Sequence, residues 1–196
     1  MQTGTLFQTL PLYNAIINSK ERTCVCQGGT ASGKTYSIMQ VLFTLAMEEA
    51  RQVITVVGQD IPNLKVGAYR DAKTIHDSSS VLQGWFPTIN EGERIIKCAN
   101  GSIIEFKSYA DEQDAKNGKR DYLFVNEANG ISYEVFWQLD MRTRKKVRTV
   151  NTPDKMCCHR LFNLNFSKYS TSNLRNMEII IILSEVVILE IIIIFR

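Results

Sequence analysis

Glycine stops at residue 130. All 11 glycines of the 196-residue chain lie at or before Gly130, and residues 148–196 contain no Gly, Ala, Gln or Trp. Any site that needs glycine's backbone freedom must therefore lie ahead of that break. The five cysteines, at 24, 26, 98, 157 and 158, lack any metal-binding or disulfide spacing. That excludes a disulfide framework and points to a reducing cytoplasm. Met1–Pro11 lacks a charged n-region and a long apolar core, so no secretory signal peptide is expected. Strong charge of one sign is lacking too: the net +3 gives only a weak pull toward a polyanionic partner. With 44% hydrophobic and 22% charged residues, the composition is that of a soluble globular protein. The length suits one domain with room for a small appendage.

What is present is concentrated between Gln27 and Ser37. Gly28 to Thr35 fits G-x-x-x-x-G-K-[ST], the phosphate-binding loop of nucleoside triphosphatases. Gly28, Gly29 and Gly33 permit positive φ and leave no Cβ between a phosphate and the backbone. Across Gly28, Gly29, Thr30, Ala31, Ser32 and Gly33, successive N–H groups form an anion nest ahead of a helix whose positive end faces the phosphates. Lys34 is expected among the β- and γ-oxygens, and the Thr35 hydroxyl is positioned to ligand Mg²⁺. The context matches: Thr23–Gln27 is β-prone. Tyr36–Ala50 carries apolar residues near a 3.6 period, at Ile38, Met39, Val41, Leu42, Leu45, Ala46 and Met47.

Further along, the pattern predicts a short helix near Leu10–Asn18, with Tyr13 either core or close to a nucleotide base. Gln52–Gly58 reads as a strand buried on both faces. Gln59–Gly67, with Pro62 and Gly67, reads as a loop, and Ala68–His76 as a helix. A second helix starts within Ser78–Trp85. Glu93–Lys97 and Ser102–Lys107 flank Asn100-Gly101, which suits a hairpin with a type I′ turn. Ser108–Lys119 is a loop or exposed helix. Ser132–Arg144 reads as a helix capped by Ser132, with Phe136, Leu139 and Met141 partly inward. Strands alternating with helices imply an α/β fold, a largely parallel sheet flanked by helices, with ligands at the carboxyl ends of the strands.

A nucleoside triphosphatase needs an acidic partner opposite the phosphate loop. Tyr122–Val125 is an apolar run ending in Asn126-Glu127. Where Asp-Glu is usual, Asn126 offers an amide oxygen to a metal-bound water and no charge. Glu127 is the candidate catalytic carboxylate, polarising water for in-line attack on the γ-phosphate.

Gln27-Gly-Gly-Thr-Ala-Ser-Gly-Lys-Thr35 together with Asp121-Tyr-Leu-Phe-Val-Asn-Glu-Ala-Asn129 resembles the ATPase domain of phage terminase large subunits, over Leu6–Val147. The resemblance implies a P-loop NTPase that couples ATP hydrolysis to packaging of viral DNA. Its cofactors are ATP and Mg²⁺. Its partners are double-stranded DNA, a portal protein and a small terminase subunit, in a ring homo-oligomer when full length, in the cytoplasm of an infected bacterial host. Such motors also use an arginine finger, for which Arg70 and Arg120 are candidates. Two other readings stay open: another DNA-dependent P-loop ATPase, and a remnant that binds nucleotide without turnover.

Arg142–Arg148 carries five positive charges in seven residues. It reads as a solvated helix end whose cations suit the helix dipole, or as a contact to DNA phosphates. Beyond Val147 the family's coupling strand and nuclease domain are not recognisable. Residues 1–147 therefore read as the ATPase domain, incomplete at its C-terminal end, and 148–196 as an atypical tail. Glu178–Arg196 holds nine isoleucines. A membrane span there would carry Glu185 and Glu190, at about 2.5–3.5 kcal/mol for each central acid, so no membrane is expected. The other readings are a strand or helix packed on the domain, or a truncated or frame-shifted reading frame. The abrupt change of composition favours the last, and resequencing the gene tests it.

Overall fold

The computed structural model describes residues 8–29, 31–151, 177–184 and 188–195. Helix α1 (Pro11–Ile17) precedes strand β1 (Thr23–Gln27), the phosphate-loop segment and the 15-residue helix α2 (Lys34–Glu48). Strand β2 (Val53–Val57) leads to three helices, α3 (Ile61–Val66), α4 (Ala68–Asp77) and α5 (Ser80–Trp85). A meander follows: β3 (Thr88–Asn90), β4 (Ile95–Lys97) and β5 (Ile103–Lys107). After the single-turn helix α6 (Glu112–Ala115) come β6 (Arg120–Asn126), a 3₁₀ turn (Ala128–Gly130), α7 (Tyr133–Met141) and β7 (Thr143–Asn151). The strands form one seven-stranded sheet in the order β1-β7-β6-β2-β5-β4-β3. All neighbours are parallel except β3/β4 and β4/β5. The α/β architecture with a largely parallel sheet is as the sequence implies.

Strand alternation sends side chains to two cores. On one face Ile54, Val56, Tyr122 and Phe124 pack with Ile38, Met39, Leu42 and Phe43 of α2 and with α4 and α5. Phe43 meets Phe86 edge-to-face at 4.9 Å between centroids, and Tyr69 meets Phe106 at 5.0 Å. On the other face Val57, Leu123 and Val125 pack under Val135 and Leu139 of α7 and Ala115 of α6. Met141, expected inward, is 63% exposed, because α7 rotates Val135 and Leu139 onto the sheet instead.

Several expectations are corrected. The span read as a loop, Gln59–Gly67, contains α3. Asp60 caps it by accepting from the Asn63 N–H at 2.7 Å, and Pro62 sits in the first turn, where its missing N–H costs nothing. The Asn100-Gly101 turn is not type I′, since of the two only Gly101 has positive φ (+86°). Cys98 and Ser102 close a three-residue loop, with the Cys98 N–H donating to the Ser102 carbonyl at 2.8 Å. Asn100 serves another purpose. Its Nδ2 donates to the carbonyls of Ala46 (2.8 Å), Met47 (3.3 Å) and Glu49 (3.2 Å), closing the C-terminal end of α2. Replacing Asn100 by alanine should therefore destabilise the fold by about 1–2 kcal/mol. Thermal denaturation should show Tm lowered by about 2–8 °C, and an unchanged Tm would contradict this role.

The basic run is not a helix end. Helix α7 stops at Met141, and the run enters β7, which lies between β1 and β6. Two of its cations meet acids, one on β6 and one at the end of α2. Arg144 pairs with Asp121 (3.0 Å) and Lys145 with Glu49, and the Lys145 ammonium lies 5.5 Å from the Tyr122 ring centroid. A strand inside the sheet, which the sequence does not reveal, thus crosses residue 147. In the Ile-rich tail, β8 (Met177–Ser184) and β9 (Ile188–Phe195) pair as an antiparallel hairpin. No helix among the described residues is long and apolar enough to cross a membrane.

Candidate functional site

The register of β7 sets the geometry. It aligns Gln27 of β1 with Asn151 and Asn126 of β6 with Val150. The carboxyl ends of β1 and β6 therefore finish level on one edge of the sheet, about 10 Å apart, two interstrand spacings. The glycine loop leaves from one and Asn126-Glu127 from the other, so both open onto the same edge.

The loop folds around its lysine. Lys34 is 7% exposed, and its Nζ donates to the carbonyls of Gly28 (2.8 Å) and Gly29 (2.6 Å) and to Ser32 Oγ (2.8 Å). Left-handed backbone occurs at Gly33 (φ 74°) and Ala31 (φ 61°), not at Gly28 or Gly29. Gly33 is the N-cap of α2 and brings no capping side chain, so the first turn of that helix presents backbone amides at the sheet edge. A methyl on Gly33 would also lie 2.7 Å from Leu10 Cδ1, a contact that the glycine pattern does not announce. Thr30 lies outside the described residues.

Thr35 joins the two halves of the site. Its Oγ1 donates to Asn126 Oδ1 at 3.1 Å, across 91 residues of chain. Asn126 is 7% exposed, at the end of a strand buried along its whole length. Directly after it Glu127 is exposed and left-handed, with φ 56° and ψ 60°. For a side-chain-bearing residue that conformation costs roughly 1–2 kcal/mol, so the fold holds Glu127 in a sharp turn out of the strand. The turn is closed by the Gly130 N–H donating to the Glu127 carbonyl at 2.9 Å.

The arrangement offers one buried ammonium, a helix start, two neutral oxygens in contact and one exposed carboxylate. Thr35 and Asn126 supply hard oxygen donors without charge. That suits a Mg²⁺ which keeps its waters and takes its negative ligands from phosphates. Among the described residues no group of three His, Cys, Asp or Glu side chains forms a self-sufficient metal site.

Two further candidates, Tyr13 and Arg120, are engaged elsewhere in the fold. Tyr13 donates to or accepts from Thr44 Oγ1 at 3.0 Å, ten residues along α2 from Lys34. It packs partly buried against the core. Arg120 is neither a surface charge nor free to reach a neighbour. It is 2% exposed, its Nη1 donates to the Leu139 carbonyl at 3.1 Å, and its guanidinium lies 5.9 Å from the Tyr109 ring centroid. Burial, and to a smaller extent the Arg142 charge, pushes its pKa downward. Withdrawing it would cost that charged hydrogen bond, about 1.5–3 kcal/mol. Arg70 is exposed on α4, next to Asp71, whose carboxyl is raised by burial and lowered by the Arg70 charge.

Residues near the site that the sequence did not flag are Gln59, Gly67 and Gly130. A methyl on Gly67 would lie 3.8 Å from Asn126 Nδ2, and one on Gly130 would lie 2.7 Å from Gln59 Oε1. Two glycines in otherwise unremarkable loops are the signal that sequence reasoning passed over.

The profile of the family described as phage terminase large subunit matches residues 20–163. The chain belongs to that family. The large terminase of a thermophilic bacteriophage superposes with a TM-score of 0.64 at 16% identity, over 81% of this chain and 43% of that one. The same phage's large terminase in complex with ADP gives 0.60 at 12% identity, over 74% and 38%. The large terminase of bacteriophage HK97 gives 0.58 at 9% identity, over 74% and 33%. At these identities the likeness is one of fold. This terminase chain spans less than half the length of those solved structures. No curated protein matches it.

Proposed function

We propose that this terminase chain carries the ATP-hydrolysing domain of a viral DNA-packaging motor. The observation that carries the reading is the Thr35–Asn126 hydrogen bond, which ties the start of the phosphate-loop helix to the strand that ends in Glu127. Gly28, Gly29, Thr30, Ala31, Ser32 and Gly33 wrap the triphosphate, with Lys34 exchanging its carbonyl partners for phosphate oxygens. Glu127 accepts the proton of the attacking water. Thr35 and Asn126 would hold Mg²⁺, directly or through its waters. When bound, the ion neutralises charge developing on the phosphates. ADP in a related large terminase supports the choice of ligand. Double-stranded DNA, a portal ring and a small subunit are the partners this reading requires. Since β7 lies between β1 and β6, we extend the ATPase domain past residue 147 to Asn151 and keep the hairpin, whose β9 runs beside β1, as tail.

A second reading, nucleotide binding without turnover, draws on Asn126: a neutral amide stands where a carboxylate is usual. Calorimetric titration with ADP and with a slowly hydrolysed ATP analogue tests what both readings share. The expected result is saturable 1:1 binding that strengthens when Mg²⁺ is added. No binding of either nucleotide would refute both.

A further inference from the structure

The Asn126-Glu127 turn is bracketed by a single segment, the one that follows β2. Gly67 stands beside the amide of Asn126, and Gln59 lies flat against Gly130. A methyl on Gly130 would meet Gln59 at Oε1 (2.7 Å), Cβ (2.9 Å) and Cδ (3.1 Å), so most of the length of that side chain covers the glycine. The bracket has a firm base. Leu64 of α3 is fully buried over Gly58, where a methyl would lie 2.7 Å from Leu64 Cγ. Asp60 caps the same helix, and the Gly58 N–H donates to the Lys107 carbonyl at 3.3 Å. Glu127, by contrast, sits in a backbone conformation it would not adopt unaided.

We propose that Gln59 is a positioning residue for Glu127: it seats the 128–130 turn through Gly130 and so fixes where the carboxylate leaves β6. The inference rests on the role proposed above for Glu127, and it adds a residue from the segment after β2 to the reaction. The contact is with the glycine's backbone, so the length of the side chain matters more than its amide. Methionine, of nearly the same shape, should replace it, and alanine should not. A methyl at Gly130 should act like the loss of Gln59.

The test compares wild type, Gln59→Ala, Gln59→Met and Gly130→Ala by two measurements on the full chain. The first is amide hydrogen exchange over residues 126–131. Gln59→Ala and Gly130→Ala are expected to exchange several-fold faster there, with α2 unchanged, while Gln59→Met stays near wild type. The second is steady-state ATP hydrolysis. In the same two variants kcat should fall about 10–100-fold at constant KM, as for a misplaced catalytic group. Exchange and kcat both unchanged in Gln59→Ala would overturn the proposal, as would a rise in KM with kcat unaltered. A wild-type chain that binds ATP without hydrolysing it would remove the catalytic role of Glu127. The exchange measurement would then still decide whether Gln59 seats the turn.

Discussion

A Lys34→Ala variant is expected to lose about 100-fold or more in ATP affinity. The ammonium is held at 2.6–2.8 Å by two carbonyls and a hydroxyl, at the start of α2. In the nucleotide complex it would instead make two or more hydrogen bonds to anionic oxygens. Each is worth about 1.5–3 kcal/mol, so the loss is roughly 3–6 kcal/mol, about two to four decades in Kd. Removing the side chain opens a space beside the Gly28 and Gly29 carbonyls that water can fill, so the fold should survive. A fluorescent ATP analogue, titrated alongside a circular dichroism spectrum, measures both. Near-native affinity in a folded Lys34→Ala variant would mean that phosphates do not occupy this loop.

The second large effect is on turnover. Glu127→Gln should bind ATP about as well as wild type and hydrolyse it about 10²–10⁴-fold more slowly, the range for removing a general base. The amide keeps the size of the side chain but cannot accept the proton. Glu127→Gly sharpens the argument. Glycine relieves the left-handed strain at φ 56°, so stability should hold or rise by up to about 1 kcal/mol while hydrolysis is lost. A residue kept for folding would show the reverse. Single-turnover hydrolysis and thermal denaturation of the two variants give the comparison. Equal, low hydrolysis in wild type and both variants, with binding intact, would favour the reading without turnover.

Both halves of the site are legible in the sequence because each is a local pattern on a buried element. The glycines, Lys34 and Thr35 follow a strand and open a helix. Tyr122–Val125 is apolar on both faces, with Tyr122 and Phe124 turned to one core and Leu123 and Val125 to the other. What was not legible depends on partners far away in the chain. Arg144 and Lys145 look like solvated helix charges until Asp121 and Glu49 are beside them. Strand β7, which sets the spacing of the two half-sites, was hidden for that reason. Pro62 and Gly67 punctuate a loop by every local rule, yet Asp60 turns the proline into the first turn of α3. Asn100-Gly101 has the composition of a two-residue turn, but its asparagine is used by the end of α2, some 50 residues upstream. The arginine finger is the converse case. Arg120 is a plausible candidate by charge alone, and burial against Leu139 and Tyr109 removes it.

The most direct measurement is a crystal structure of the chain with a non-hydrolysable ATP analogue and Mg²⁺. The account predicts the triphosphate wrapped by residues 28–35, Lys34 on its terminal oxygens, and a water between the Glu127 carboxylate and the γ-phosphorus. A nucleotide bound elsewhere, or a Glu127 side chain turned away from the terminal phosphate with no ordered water between them, would contradict it.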